Sequence, residues 1–403
     1  MSELSYLEKL LDGVEVEWLP LGVLGELVRG NGLPKTDFTE AGIPAIHYGQ
    51  IYTFYGLSTE TTKSFVSQDT AKKLKKVNTG DVVITNTSEN LDDVGKALVY
   101  LGKEQAVTGG HATIFKPNKG IIGKYFAYFT QTNSFFNEKR KYSKGTKVID
   151  VSASDMAKIT IPIPCPNNPE KSLAIQSAIV RILDKFTELT AELTAELNMR
   201  KKQYNYYRDQ LLSFDEGEVE WKMLGDLGEN LDSKRKPITS GLREAGSIPY
   251  YGASGIVDYV KDYIFDGDFL LISEDGANLL ARNTPIAFSI SGKSWVNNHA
   301  HVIKFDSYAE RRYVEYYLNS IDLAPYISGA AQPKLNKKNL ESIRIPNPSP
   351  EDKERIVSIL DKFDALTNSI NEGLPREIEL RQKQYEYYRD LLFSFPRPET
   401  ASN

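Results

Sequence analysis

KKQYNYYRDQLLSF at Lys201–Phe214 returns as QKQYEYYRDLLFSF at Gln382–Phe395, so the chain closes each of its halves with nearly the same fourteen residues. Shortly before each stretch, the motif ILDKF occurs at Ile182–Phe186 and again at Ile359–Phe363. Agreement in register over so many positions exceeds chance and indicates an internal duplication. The chain is therefore predicted to contain two related halves.

The start and the interior of each half are repeated as well. The further matches are EVEW at Glu15–Trp18 and Glu218–Trp221, ITIP or IRIP at Ile159–Pro162 and Ile343–Pro346, and Tyr-Gly at 48–49 and 251–252. Between roughly 27 and 158, and between roughly 230 and 342, the halves share only scattered positions. A duplication kept only for folding does not account for such uneven divergence. It indicates two variable modules that alternate with two constant segments.

The constant segments have the apolar spacing of long helices. In the first, apolar residues recur at alternating steps of four and three from Ile175 to Leu193, which is a heptad seam. About 40 helical residues form a rod of roughly 60 Å, whose simplest partner is the other copy in an antiparallel pair. Pro375 interrupts the second copy and predicts a kink or a break there. The predicted seam consists of Ile179, Ile182, Phe186, Leu189, Leu193, Tyr207, Leu360, Phe363, Ile370 and Tyr388.

The variable modules alternate short β-rich runs with turn residues, as in GDVVITN at Gly80–Asn86 and DFLLIS at Asp268–Ser273. Each module is long enough to bury a core of its own. The predicted fold class is α+β: two mixed α/β modules joined by two long helices that form an antiparallel coiled coil, with a pseudo-two-fold internal repeat. The predicted boundaries are an N-terminal helix at 1–14, a first module at 15–165, a helical spacer at 166–216, a second module at 217–349, a second helical spacer at 350–396 and a tail at 397–403.

Composition limits the possible classes of function. The 403 residues include 49 Lys and Arg against 54 Asp and Glu, and this net charge of -5 excludes a uniformly basic nucleic-acid binder. The single cysteine, Cys165, excludes a disulfide scaffold and fits a reducing compartment. Because no apolar run is long enough for a membrane span and the N-terminus does not read as a signal peptide, we expect a cytoplasmic protein.

The sequence lacks a convergent set of catalytic groups, so we expect a chain without an active site. Of its four histidines, His299 and His301 stand in a strand-like run without an accompanying set of metal ligands. The GKS of Ser291–Trp295 lacks a phosphate-binding cradle, because Ala287 stands where the required glycine would be. Cys165 lies between two prolines without a neighbouring base. We predict neither a metal site nor a bound cofactor.

Local basic clusters and polar loops fit DNA contact despite the acidic total. Residues 15–160 hold 18 Lys and Arg against 15 Asp and Glu, a net of +3, whereas residues 218–349 hold 15 against 17, a net of -2. Cations bind phosphates, and short polar side chains on loops bind base edges. The candidates in the first module are Asn86, Thr87, Ser88, His111, Lys139, Arg140, Lys144 and Lys147. Those in the second are Lys234, Arg235, Lys236, Ser273, Asp275, Asn297, Asn298, His299, Lys334 and Lys337.

This arrangement of two divergent modules and two near-identical helical segments resembles the specificity subunit of type I restriction–modification systems. The resemblance covers nearly the whole chain, and Pro375, which the first copy lacks, departs from it. The motifs that carry it are the LDKF helices, the endings Gln203–Phe214 and Gln384–Phe395, and the module starts Val14–Gly22 and Gly217–Gly225. It implies that each module is a target recognition domain reading half of a bipartite, asymmetric DNA site. It also implies that the paired helices set the length of the spacer.

The resemblance further implies partners and locates the chemistry outside this chain. The partners are double-stranded DNA, two modification (methyltransferase) subunits docked on the helices, and restriction or motor subunits; those subunits would bind S-adenosylmethionine, ATP and Mg. Two alternatives stay open: a two-domain coiled-coil protein that binds a glycan or peptide, and the enzymatic half of a fused restriction system. Salt-dependent binding to duplex DNA would separate the first from a DNA reader. Methylation by the isolated chain would indicate the second.

Overall fold

A computed structural model describes residues 11–215, 217–329 and 332–397. These residues form two compact units, which we call unit 1 (11–192 with 378–397) and unit 2 (193–377, apart from the undescribed positions). Each unit thus contains one variable module together with parts of both constant segments. Most of the predicted N-terminal helix at 1–14 and of the tail at 397–403 lies outside the described residues.

The strands of unit 1 form two five-stranded sheets and two short ribbons. The sheet orders are β2-β12-β8-β10-β5 and β3-β6-β4-β11-β7, and the ribbons are β1-β14 and β9-β13. Their bounds are β1 Val16–Pro20, β2 Gly25–Arg29, β3 Phe38–Thr39, β4 Ile43–Ile46, β5 Ser58–Thr59, β6 Ser64–Val66, β7 Lys75–Val77, β8 Val82–Thr85, β9 Thr87–Ser88, β10 Ala97–Tyr100, β11 Ala106–Thr108, β12 Ala112–Pro117, β13 Ile149–Asp150 and β14 Thr160–Pro164.

Unit 2 contains one six-stranded sheet, in the order β16-β21-β19-β20-β17-β18, and the ribbon β15-β22. The first five strands of this sheet correspond in spatial order to β2-β12-β8-β10-β5 of unit 1. The correspondence includes the parallel pairing of the fifth strand with the fourth. The bounds are β15 Glu220–Met223, β16 Glu229–Asn230, β17 Ala245–Gly252, β18 Gly255–Val260, β19 Phe265–Ser273, β20 Ala287–Val296, β21 Ala300–Lys304 and β22 Arg344–Asn347. The duplication therefore extends into the modules, where the sequences no longer show it.

The helices include short ones within the modules and three long ones in the constant segments. They are α1 Leu21–Leu24, α2 Tyr48–Thr53, α3 Gln68–Lys73, α4 Gly123–Phe129, α5 Asn133–Tyr142, α6 Ala153–Met156, α7 Pro169–Leu212, α8 Leu224–Leu227, α9 Asn278–Ala281, α10 Tyr308–Ser320, α11 Lys337–Glu341, α12 Pro350–Thr367 and α13 Gly373–Leu392. Turns of 3-10 helix lie at Lys35–Asp37, Asp232–Lys234, Ser240–Leu242 and Ala324–Tyr326. Among the described helices, none is long and apolar enough to cross a membrane.

The repeated motifs EVEW and ITIP form the ribbon that closes each module. In unit 1, β1 runs antiparallel to β14 with Trp18 opposite Pro162. In unit 2, β15 runs antiparallel to β22 with Trp221 opposite Pro346. The first and last strands of each module thus lie side by side, in the same register in both copies.

The two constant segments differ in continuity. Helix α7 runs unbroken for 44 residues, about 66 Å at 1.5 Å per residue. The second copy is split, because α12 ends at Thr367 and α13 begins at Gly373. Gly373 has a φ of +73°, a left-handed conformation that favours glycine. The break therefore precedes Pro375, which lies in the first turn of α13, where a missing N–H is tolerated.

The predicted pairing of the helices recurs as the same aromatic contact in each unit. In unit 1, the LDKF residue Phe186 stacks on Tyr388 of α13 at 5.3 Å between ring centroids. In unit 2, the equivalent Phe363 of α12 stacks on Tyr207 of α7 at 5.8 Å. Early residues of one copy thus contact late residues of the other, as expected for an antiparallel coiled coil with a pseudo-two-fold repeat.

The other predicted seam residues have varied surroundings. Ile179 and Ile182 are buried in the core of unit 1, among side chains of its module, and Leu360 is buried likewise in unit 2. Leu189 and Leu193 are half-buried along α7. The assignment of Ile370 to the seam is wrong, because this residue lies in the break between α12 and α13 and is 78% exposed. The heptad pattern therefore marks packing on the modules as well as packing between helices.

The aspartate of each LDKF motif attaches a constant helix to its module. In unit 1, Asp184 accepts a hydrogen bond from the Tyr128 hydroxyl (2.6 Å) and pairs with Lys124 (2.8 Å). In unit 2, the equivalent Asp361 accepts from the Tyr316 hydroxyl (2.6 Å) and pairs with Arg312 (2.9 Å). The motif is thus repeated because both copies use it to fix a helix against an aromatic helix of the module, α4 or α10.

Candidate nucleic-acid interface

The predicted loops of unit 1 lie together because they follow and precede neighbouring antiparallel strands. Strand β8 ends at Thr85, opposite the first residue of β12, Ala112. Residues 85–88 and 109–111, the first loop pair, are joined by the Asn86 N–H to the His111 carbonyl (3.1 Å). The Thr87 hydroxyl lies 2.7 Å from Nδ1 of His111. The fold thus brings these candidate residues of unit 1 together.

Unit 2 repeats this arrangement with other side chains. Residues 273–276 and 297–299, the second loop pair, follow β19 and precede β21. Here the Glu274 N–H donates to the His299 carbonyl (2.9 Å), the same backbone bond as in unit 1. Nδ1 of His299 lies 2.9 Å from both carboxylate oxygens of Asp275. The two units therefore share one backbone arrangement of the loop pair, which we call the loop frame. The side chains on this frame differ between the units.

Several predicted contact residues are buried and shape these loops. Asn86 is fully buried, with its amide directed at the Gly110 carbonyl (3.5 Å). Ser273 is also fully buried and donates to the Ala253 carbonyl, while the nearly buried Asn297 accepts from the His299 N–H (2.8 Å). Their direct contact with bases was the wrong expectation, because their polar atoms face the protein. The residues of the loops with exposed or half-buried side chains are Ser88, His111, Asp275, Asn298 and His299.

An aromatic group flanks the first loop pair. The Tyr48 ring lies 4.7 Å from the rings of both His47 and His111, and the Tyr52 hydroxyl donates to the Thr87 carbonyl (2.7 Å). Burial lowers the pKa of His47, and the nearby charges of Lys35 and His111 lower it further. We did not single out these residues from the sequence, although Tyr48 belongs to a repeated Tyr-Gly pair. In unit 2 its counterpart Tyr251 accepts a backbone hydrogen bond from Asn297 (3.1 Å).

A buried ion-pair network supports the second loop pair. The Arg235 guanidinium lies 2.6 Å from the Glu274 carboxylate and 3.3 Å from that of Asp232, and Lys334 lies 3.1 Å from Glu274. Nδ1 of His301 lies 2.6 Å from an Asp232 carboxylate oxygen, and its Nε2 lies 2.7 Å from the Leu335 carbonyl oxygen. The prediction that Arg235 holds DNA phosphate is therefore wrong, because its buried guanidinium neutralises Glu274. Lys334 is half exposed beside Glu274, and its contact with phosphate stays a prediction.

The same network lowers the pKa values of both carboxyl groups. Burial by itself opposes ionisation of Asp232, but the hydrogen bond from His301 and the charges of His301 and Arg235 hold its pKa below the ordinary value. Burial likewise opposes ionisation of Glu274, whose pKa is lowered by Arg235, His301 and Lys334. Both groups are thus stabilised as carboxylates. The ion pairs of Glu274 hold the start of the loop in which Asp275 is the next residue.

Asp232, Glu274 and His301 also bring three potential metal-ligand atoms within 4.8 Å of one another. A metal ion requires a deprotonated imidazole nitrogen and available carboxylate oxygens. In this cluster both ring nitrogens of His301 already face protein oxygens, of Asp232 and Leu335, and the Arg235 guanidinium occupies the position beside Glu274. The donor set therefore fits an internal ion-pair network better than a metal site.

The remaining predicted cations differ in their exposure and in whether they pair with a carboxylate. Lys139 is buried, donates to the carbonyls of Asp92 (3.3 Å) and Val94, and has its pKa lowered by burial to about 8. Its assignment as a phosphate contact is wrong, because its ammonium group faces the module interior. Lys144 pairs with Asp155 (2.9 Å), and Lys337 lies 3.6 Å from Glu341. Within the described part of the chain, the exposed predicted cations that pair with no carboxylate are Arg140, Lys147, Lys234 and Lys236.

Comparison with known proteins identifies the family behind these paired loops. A family model described as the type I restriction modification DNA specificity domain matches residues 14–200 and 216–380. The chain belongs to this family. The two matched stretches correspond to the two halves of the internal repeat, so the resemblance drawn from the repeated motifs is confirmed. Membership favours DNA recognition over the glycan- or peptide-binding alternative.

Relatives and solved structures agree with this membership. The specificity subunit of the type I restriction enzyme EcoR124I/EcoR124II from Escherichia coli is 42% identical to this specificity chain, and the alignment covers 100% of both. The EcoprrI specificity subunit, also from E. coli, is 38% identical, with 92% of this chain and 93% of the relative covered. A crystal structure of a type I restriction–modification S subunit from M. genitalium shares the fold, with a TM-score of 0.59, 16% identity, and coverage of 96% of this chain and 98% of that one.

Proposed function

We propose that unit 1 and unit 2 of this specificity subunit each read one half of a bipartite, asymmetric DNA site. The observation that carries this proposal is the recurrence of one loop frame with different side chains. The same backbone hydrogen bond joins the two loops in each unit, but Thr87 faces His111 where Asp275 faces His299. A repeated frame suits two half-sites of one duplex, and unequal side chains give unequal half-sites.

The constant helices serve, in this proposal, as the spacer and as the docking surface for two modification subunits. Helix α7 is continuous, and stacked aromatic pairs hold it to the second copy in each unit. At equivalent positions beside those pairs, Tyr206 and Tyr387 are 61% and 64% exposed. Exposed tyrosines at matching positions of a repeat are suited to binding two copies of one partner.

The catalytic chemistry belongs, in this proposal, to the partners. Modification subunits would bind S-adenosylmethionine and methylate the site, and restriction or motor subunits would use ATP and Mg. The buried cluster around Glu274 supports this division, since its charges are paired internally. The free thiol of Cys165 agrees with work in a reducing cytoplasm.

The test is an exchange of one module. Residues 217–349 include both strands of the ribbon that closes the second module, so the corresponding segment of another specificity subunit should replace them without disturbing the constant helices. Methylated bases would be mapped in cells that carry the hybrid chain with its modification subunits. We expect one half-site to change and the other half-site and the spacer to persist. A hybrid that methylates a site altered in both halves would contradict two independent readers.

A further inference from the structure

The histidine at the edge of each loop pair has a different partner in the two units. Thr85 of β8 is opposite Ala112, and Ser273 of β19 is opposite Ala300, so the registers make His111 equivalent to His299. The residues that face these histidines are likewise equivalent, two positions after Thr85 and Ser273. A hydroxyl faces His111, whereas the carboxylate of Asp275 faces His299. The difference between the units is therefore concentrated in a single pair of side chains.

The Asp275–His299 pair lies on the wall of an open groove in unit 2. The groove has a volume of about 820 Å³, and Gln332, Leu280 and Pro333 also line it. The side chain of His299 is half exposed and that of Asp275 about one-third exposed, so both reach solvent from the wall. Polar groups on a wall that is largely apolar are suited to orienting a flat ligand such as a base.

The hydrogen bond between the two side chains determines what they offer. An ionised carboxylate only accepts hydrogen bonds, so Nδ1 of His299 must donate to Asp275. The pair thus presents to solvent the carboxylate oxygens of Asp275, which only accept hydrogen bonds. Thr87 and His111 in unit 1 do not have this restriction, because a hydroxyl both donates and accepts.

We propose that Asp275 and His299 select a base with an exocyclic amino group, cytosine or adenine, at one position of the half-site read by unit 2. These amino groups are the hydrogen-bond donors of the major-groove edges. Guanine and thymine present acceptors at the corresponding edge and would leave the carboxylate facing another acceptor. This inference rests on the proposed function, since it assigns a base class to a loop pair taken to read DNA.

Internal bonds hold the pair in position for this selection. The neighbouring Glu274 accepts at its backbone carbonyl from the Leu335 N–H (2.7 Å), and its carboxylate is paired with Arg235 and Lys334. The Gly276 N–H donates to the Pro333 carbonyl (3.3 Å). Glu274 is thus a positioning residue, and only Asp275 and His299 would touch the base.

The test uses the full chain in complex with its modification subunits and a duplex library randomised across the site. Asp275→Asn adds an amide donor without changing size. We expect it to reduce the preference for the amino-bearing base at one position by roughly tenfold to a hundredfold, while the half-site of unit 1 is unchanged. Asp306→Asn, on an exposed carboxylate elsewhere in unit 2, is the matched control and should leave every preference intact.

A second variant, His299→Asn, should relax the same position. The inference is overturned if folded Asp275→Asn and His299→Asn complexes keep the wild-type preference, or if they relax different positions. If Asp275→Asn fails to fold, His299→Asn decides by the same criterion. A wild-type complex without any sequence preference would instead overturn the proposed function, so the two failures can be told apart.

Discussion

Two aspartates show how a single residue can link a conserved motif to a variable module. Asp184 and Asp361 occupy the same position of the LDKF motif, and each accepts a tyrosine hydroxyl and a cation from its own module. The partners differ, since unit 1 supplies Lys124 and unit 2 supplies Arg312. Burial raises the pKa of Tyr128 and Tyr316, and the neighbouring carboxylates raise it further, so both hydroxyls remain donors. A constant motif can therefore accept different modules as long as each provides a donor and a positive charge.

Removal of Asp361 should destabilise unit 2. Asp361→Ala leaves the mostly buried Arg312 with Glu315 and Asp364 as its remaining carboxylates. We expect a loss of about 2 kcal/mol in the free energy of unfolding, below the roughly 3–5 kcal/mol of a fully buried pair, because Asp361 is partly exposed. Chemical unfolding of the full chain measures the change. Asp364→Ala is the control, since its contact with Arg312 is longer, and an equal loss in both variants would contradict the special role of Asp361.

The pH dependence of stability should report on Asp232 and Glu274. Their pKa values are lowered on folding from ordinary values of 3.8 and 4.5, so their contribution is fully present above about pH 4.5 and is lost as the pH falls through the folded values. Glu274→Gln should lower stability at neutral pH and flatten the acid side of the profile. Chemical unfolding between about pH 3 and 7 tests this. Parallel profiles for the two chains would show that Glu274 is not part of the acid response.

At the scale of elements, the two constant segments differ in continuity but make the same aromatic contacts. Phe186 with Tyr388 and Phe363 with Tyr207 mark the two places where the copies meet. Between these contacts, α7 is continuous, while the second copy contains the break before Gly373. Continuity of α7 agrees with the spacer role proposed for it, and the break in its partner does not interrupt it.

Shortening both copies by one heptad should change the spacer alone. Deletion of residues 190–196 together with 378–384 preserves the heptad register and both stacked pairs. Seven residues of helix correspond to about 10 Å, or roughly three base pairs of DNA. We expect the methylated site to keep both half-sites with a spacer shorter by about that amount. Glu192→Gln, at an exposed position of α7, controls for a change of sequence without a change of length. Half-sites of changed sequence in the deletion variant would contradict the proposal that the helices set only the length of the spacer.

Across the whole molecule, the internal repeat could be predicted from the sequence more accurately than the burial and pairing of individual charged side chains. Identical motifs such as EVEW and LDKF fold identically, because their partners are repeated with them, and so the ribbons and stacked pairs could be anticipated. The burial and ion pairing of individual cations could not be anticipated. Arg235 looks like a phosphate contact until the fold buries it beside Glu274, and Lys139 looks exposed until its helix packs on the loop at 92–94. Burial of a charge depends on distant residues, which local patterns do not contain.

The isolated chain should bind duplex DNA weakly. Arg235 is buried in an ion pair, and the exposed Lys334 and Lys144 are paired with carboxylates, in a molecule whose net charge is already -5. Each phosphate contact contributes a slope of about -0.9 to the salt dependence of the binding constant, so few contacts give a shallow slope. Titrations at several salt concentrations, with and without the modification subunits, measure it. A tight duplex complex of the chain alone, resistant to salt, would contradict this expectation.

The ribbons β1-β14 and β15-β22 have a consequence for inheritance. Each brings the entry and exit of a module to adjacent positions, and both are encoded by short stretches that the two halves share. A genetic crossover at these two stretches would replace everything between them and leave the flanking chain in register. A cell could thus acquire a new half-site in one recombination event, without altering the helices proposed to bind its modification subunits.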